Sequence, residues 1–153
     1  MSQHGGGLAA DTRCDLVGRD EVERLVRNFY RGAAMDDVLG PVFHAAGLDW
    51  NGHIERVTDF WSWQLLGQPG YEGHPLRAHE AVHARTPLSP THVDRWLALF
   101  CDTVDDSFRG PTAEAAKVRA SKMAAALERL LAGWGPPEGS GHAPTSVMLS
   151  PRR

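Results

Sequence analysis

Between residues 19 and 134 the apolar side chains recur at intervals of three and four, and glycine–proline pairs cut the pattern into pieces. Such a period fits one face of a helix and cannot fit the alternating face of a strand. Gly40-Pro41, Gly67 with Pro69, Gly73 with Pro75, Ser89-Pro90 and Gly110-Pro111 mark the breaks. An all-α fold follows.

The first helix is expected to open near Asp20 as its N-cap and to bury Val22, Leu25, Val26, Phe29, Tyr30 and Ala33 along one stripe. A short helical piece around Gly40-Pro41 adds Leu39, Val42 and Phe43. Asp49 then caps a helix carrying Trp50, His53, Ile54, Val57, Phe60, Trp61, Gln64 and Leu65, in which His53, Val57 and Trp61 form an i, i+4, i+8 row. A buried imidazole needs hydrogen bonds, so His53 must meet solvent or a polar partner. Ser89-Pro90 starts the next long helix, with Val93, Trp96, Leu97, Phe100, Cys101, Val104 and Phe108 facing the core. An Ala-rich helix after Pro111 presents Ala116, Ala120, Met123, Leu127, Leu130, Leu131 and Trp134, a pattern suited to close helix packing.

Residues 1–18 and 135–153 are rich in Gly, Pro and polar residues, lack a sustained period and read as disordered tails around one domain at 19–134. That length can bury a core without disulfides. A formal charge of -3 gives no basic footprint for nucleic acid, and no apolar run is long enough for a membrane span. No signal peptide is evident at the start, so the expected location is cytoplasmic. Cys14 and Cys101 form no metal knuckle and no Cys-x-x-Cys-His, and Cys101 reads as a buried, inert thiol. Without an exposed heptad seam the chain is expected to be a monomer.

The segment Tyr71-Glu72-Gly73-His74-Pro75-Leu76-Arg77-Ala78-His79 joins a helix break to a new helix start. Pro75 suits a first helical position, and His79 then falls one turn in, on the face of Leu76. On these residues alone a packed or surface histidine is the commoner reading, since the chain has 8 histidines. The density of tryptophan matters more: Trp50, Trp61 and Trp63 lie close together, and buried indoles need partners for their N–H groups unless a planar ligand uses them.

Taken together, Phe29-Tyr30, Leu39-Gly40-Pro41-Val42-Phe43, Trp50 with His53, Phe60-Trp61 leading to Leu65-Leu66-Gly67, Tyr71-x-Gly73-x-Pro75-Leu76-x-x-His79 and Trp96-Leu97-x-Leu99-Phe100 resemble the group III truncated haemoglobins of bacteria. The resemblance covers nearly all of the folded part. It implies a truncated globin, a two-over-two helical sandwich around haem b, with His79 as the proximal ligand of the iron. It also implies cofactor contacts from Tyr30, Phe43, His53, Val57, Trp61, Tyr71, Leu76, Arg77 and Trp96. The departures from the family pattern are the long tails, an extended loop between His79 and Trp96, and His74 where an amide is common.

The implied ligands are dioxygen, nitric oxide or carbon monoxide. Tyr30 and Trp96 would be the donors to a bound ligand, and His53 an acid, a base or a gate. A hydrogen bond to a charged acceptor contributes about 1.5 to 3 kcal/mol. Each donor would therefore slow ligand release about ten- to a hundredfold. Such retention suits nitric oxide dioxygenase or peroxidase-like chemistry served by an unidentified reductase. The alternative is a carrier, store or sensor without turnover.

Several residues keep a second reading. Tyr30 and Trp96 also read as core aromatics bonded to backbone, and His53 as an exposed edge residue. Trp61 reads as wall rather than donor. Arg77 and Tyr71 are either partners of a haem propionate or surface residues. His44, His74, His83 and His92 are expected at the surface, although His83 would compete with His79 as a ligand if the helix ran on.

Overall fold

The computed structural model describes residues 11–73, 79, 82–84 and 86–134. The periodic segments are helices: α1 Arg19–Met35, α2 Gly40–Ala46, α3 Trp50–Leu66, α4 Pro90–Ser107 and α5 Pro111–Trp134. Among the described residues there is no strand, only an isolated parallel bridge between Cys14 and Phe108. The fold is all-α, as the period requires. α1 packs on α3 and α4 on α5, with α1 also lying against α4, so that two helix pairs face one another across the core.

The stripe named from the sequence for α1 is largely buried, whereas of the α3 stripe only Phe60 and Trp61 are buried, beside Thr58 and Ser62, which the period did not single out. Val22, Leu25, Val26, Phe29 and Ala33 of α1 meet Phe60 and Trp61 of α3, Phe100, Val104 and Phe108 from α4 and its C-cap, and Ala113, Ala116 and Ala120 of α5 in one cluster. The small side chains on α5 let its backbone approach its neighbours closely. Gly47 and Gly67 cap α2 and α3 in the left-handed conformation, φ 61° and 70°, which a side chain would strain.

Asp36 ties three elements together. Its Oδ2 accepts the backbone N–H groups of Val38 and Leu39, both at 3.0 Å, and its Oδ1 accepts from Arg95 Nε at 2.7 Å. The Arg95 guanidinium holds the Asp36 carboxyl below its ordinary pKa, against the opposing effect of burial. The turn from α1 into α2 is thereby fixed to α4, one residue from Trp96.

Two expectations are corrected at the N-terminus. Residues 11–18 are not a tail: Leu16 is fully buried, and Asp15 accepts hydrogen bonds from the backbone N–H groups of Leu16, Thr112 and Ala113 at 2.8, 3.0 and 2.7 Å. The segment caps α5, a long-range role that local periodicity does not encode. Gly110, at φ 138°, leaves room for this contact, since a Cβ there would lie 2.5 Å from the Asp15 carboxyl. The N-cap of α1 is Gly18, and Asp20 sits in the first turn, where its charge complements the helix dipole. Residues 1–10 and the expected tail at 135–153 lie outside the described residues.

Asp15 is partly buried, yet the three backbone donors outweigh desolvation and hold its carboxyl below the ordinary pKa. Asp15→Ala is expected to destabilise the chain by about 1 to 2 kcal/mol at neutral pH, the cost of a lost helix cap. The difference from wild type in chemical denaturation should shrink as pH falls through the carboxylate range, because protonation removes the same acceptor. A pH-independent difference would contradict the capping role.

Candidate functional site

A cavity of about 560 Å³ opens among α1, α2, α3, α4 and α5 and the segment after α3. Its volume is that of a small-molecule or cofactor site. Apolar side chains make most of the wall, among them Leu39, Val42, Phe43, Val57, Phe60, Trp61, Val82, Leu88, Val93, Met123 and Leu127. The polar groups are few: Tyr30, His53, Arg56, Tyr71, Glu72, His79, Thr86, His92 and Trp96.

Of the residues singled out from the sequence, Tyr30, Phe43, His53, Val57, Trp61, Tyr71, His79 and Trp96 all line this one cavity. Helices place them there from distant points of the chain, Tyr30 on α1, His53 to Trp61 on α3 and Trp96 on α4. Leu76 and Arg77, together with His74, lie outside the described residues. His79 is helical and partly buried.

The Tyr30 ring is a hub. It meets His53 edge-on at 4.9 Å between centroids, Phe29 at 4.9 Å, Phe43 at 5.5 Å and Trp50 at 5.7 Å. Desolvation raises the pKa of its phenol well above the ordinary value, so the hydroxyl keeps its proton and remains a hydrogen-bond donor. Part of its surface remains uncovered, and that part borders the cavity.

Trp61, Phe100 and Trp96 form a stack of three rings, with centroids 4.9 and 5.5 Å apart and planes 18° and 12° from parallel. Phe29 packs edge-on against Phe100 and Trp96 at 5.8 and 6.2 Å. Phe100 is buried, whereas both indoles reach the cavity wall. Trp96 is thus held by ring contacts to α1 and to its own helix, and it also packs against the cluster of Val93, Ala124 and Leu131.

His53 is the unusual group. Its Nε2 is buried with no hydrogen-bond partner among the described residues. Burial, with the positive charge of Arg56 and the neighbouring His79 imidazole, pulls its pKa down to about 4. It is therefore a neutral imidazole at physiological pH. Among the described residues no group of three or more His, Cys, Asp or Glu side chains converges on a common point, so a multi-ligand metal centre is not formed there.

The remaining histidines divide. His44 is exposed, as expected. His83 is buried, with 8 % exposure, and its Nδ1 accepts the Leu88 N–H at 2.9 Å. This bond clamps the start of α4 to the preceding turn, and its neutral form carries the proton on Nε2. His83 does not line the cavity, whereas His79 does. His92 is half-buried, accepts the Ser89 N–H at 3.0 Å and lines the cavity. Both were expected at the surface because their partners lie in a turn whose geometry the sequence does not reveal.

Sequence reasoning also missed Arg56, Thr86, Leu88, Met123 and Leu127 as cavity residues. Arg56 lies three residues after His53, one helical turn on, and that spacing was a usable signal. Trp63, by contrast, points outward and is 46 % exposed.

Comparison with known proteins fits this arrangement. The sequence pattern described as bacterial-like globin matches residues 13–129. A group 3 truncated haemoglobin of Campylobacter jejuni is 25 % identical over 125 residues, 79 % of this chain and 96 % of that protein. A group 2 truncated haemoglobin of Bacillus subtilis is 26 % identical over 102 residues, 65 % of this chain and 74 % of that protein. The crystal structure of the group III truncated haemoglobin from C. jejuni superposes with a TM-score of 0.71 at 24 % identity, over 82 % of this chain and 99 % of that one.

The low pKa of His53 has a measurable consequence. An unfolded histidine titrates near 6.5, so the unfolded chain takes up this proton first. His53 therefore lowers stability progressively as pH falls from about 6.5 toward 4 and has no such effect at neutral pH or above. The thermal midpoint of the haem-free chain should fall less steeply across that window in His53→Gln than in wild type. Equal slopes would place the His53 ring in water.

Proposed function

Because this chain belongs to the bacterial-like globin family and is similar to group III truncated haemoglobins, we propose that its cavity holds haem b through His79 and binds dioxygen and other diatomic ligands for redox chemistry. The family binds haem. Among the described residues no helix is long and apolar enough to cross a membrane. The observation that carries the reading is that two imidazoles from different segments, His79 and His53, share one apolar cavity with a buried phenol and an indole.

The residues present fit the cofactor. The wall is mostly apolar, as a porphyrin requires, and the buried Nε2 of His53 lacks a protein partner among the described residues. Arg56 at the cavity wall supplies a cation suited to a carboxylate of the ring edge. Haem iron, when bound, supplies the site at which a diatomic molecule is held and reduced or oxidised.

The chain's own groups do the rest. Tyr30 keeps its proton and offers an O–H donor in a desolvated setting, and the Trp96 indole offers an N–H. His53 is neutral, so it adds a hydrogen bond without adding charge and can take up or release a proton. Packed aromatic neighbours fix these donors in advance, so no reorganisation is needed when negative charge develops nearby. Conversion of nitric oxide and dioxygen to nitrate takes up one electron, which a reductase must deliver. We read the chain as a monomeric cytoplasmic protein with nitric oxide dioxygenase- or peroxidase-like activity.

Stopped-flow measurement of oxygen release tests this. Tyr30→Phe and Trp96→Phe should each accelerate release about ten- to a hundredfold, the equivalent of a hydrogen bond to a charged acceptor. The haem-loaded wild type should consume nitric oxide catalytically when a reductant is supplied. Release rates unchanged in both variants would remove the distal donors from the account, and stoichiometric loss of nitric oxide would remove the catalytic function.

A further inference from the structure

Trp63 is one of four large apolar side chains well exposed to solvent among the described residues. Its indole stacks on the Tyr71 ring, with centroids 5.8 Å apart and planes 23° from parallel. Phe60 closes the group edge-on to both, 5.2 Å from Tyr71 and 6.1 Å from Trp63. Tyr71 and Phe60 also line the cavity. A continuous run of aromatic rings therefore leads from solvent to the cavity wall.

Trp and Tyr are the aromatic side chains most readily oxidised by one electron, and stacked rings in van der Waals contact pass an electron readily. Helix α3 carries Trp63 near its C-terminal end and the stack orders it, so its exposed face is held in place rather than lost among rotamers. Asp59, one turn earlier, is paired with Arg19 at 2.7 Å, and Glu72 is exposed beside Tyr71. Such a patch receives a flat neutral molecule better than an anion.

We propose that Trp63 and Tyr71 form a one-electron relay by which small neutral phenols, docking on the exposed indole, are oxidised by hydrogen peroxide consumed in the cavity. This rests on the haem-binding reading given above. Hydrogen peroxide takes up two electrons and two protons, its O–O bond breaks, and two water molecules form. Each electron comes from one phenol, which releases its hydroxyl proton to bulk water and leaves as a phenoxyl radical. Two phenols therefore serve one peroxide. Trp63 passes each electron to Tyr71 and Tyr71 passes it to the cavity, so both rings end as they began.

The test uses the haem-loaded full chain treated with hydrogen peroxide and a nitroso spin trap, then digested and mapped by mass spectrometry. The trap should be found on Trp63 in wild type, and on Tyr71 in Trp63→Leu. In the same variant kcat for oxidation of 2-methoxyphenol should fall about tenfold or more, while the Soret band and carbon monoxide affinity stay unchanged. A haem-loaded protein with no adduct on Trp63, or with phenol oxidation unaffected by Trp63→Leu, overturns the relay and leaves haem binding in place. A chain that takes up no haem overturns both.

Discussion

The stack of Trp61, Phe100 and Trp96 spans two layers of the fold, because its outer members sit on α3 and α4 and its middle ring is buried between them. Offset and edge-on ring contacts of this kind each add about 0.5 to 1.5 kcal/mol beyond the area they bury. More important is what they prevent. A cavity of about 560 Å³ walled by flexible aliphatic side chains would tend to collapse, whereas rings braced by other rings keep its wall in one arrangement.

A second set of rings, joined to the stack through Phe29, surrounds the polar groups. Tyr30 is enclosed by four other rings, so its phenol is desolvated and stays protonated. His53 is drawn into the same environment and stays neutral. The Asp36 carboxylate then fixes the end of α1 to α4, so that the segments bearing Tyr30 and Trp96 keep their spacing.

Much of this was legible in the sequence because helical period and buried face are local properties. The stripes of α1, α4 and α5 and the breaks at Gly67, Ser89-Pro90 and Gly110-Pro111 follow from residues within a few positions of each other. Eight of the residues chosen for the site line one cavity, six of them (Tyr30, Phe43, His53, Val57, Trp61 and Trp96) from helices α1 to α4. What was not legible depends on partners far along the chain. Asp15 caps a helix about a hundred residues away, and nothing near it in sequence announces this. His83 and His92 are drawn inward by backbone N–H groups whose position is set by a turn. Trp63, which the helical period leaves off the inward stripe of α3, is turned to solvent.

The central claim is that His79 holds a haem in this cavity, and the visible absorption spectrum tests it most directly. The purified chain, loaded with haem, reduced and exposed to carbon monoxide, should show a Soret band that shifts on ligand binding, and His79→Ala should lose or displace that band. Absence of a Soret band after haem is added, or an identical spectrum in His79→Ala, would contradict the claim.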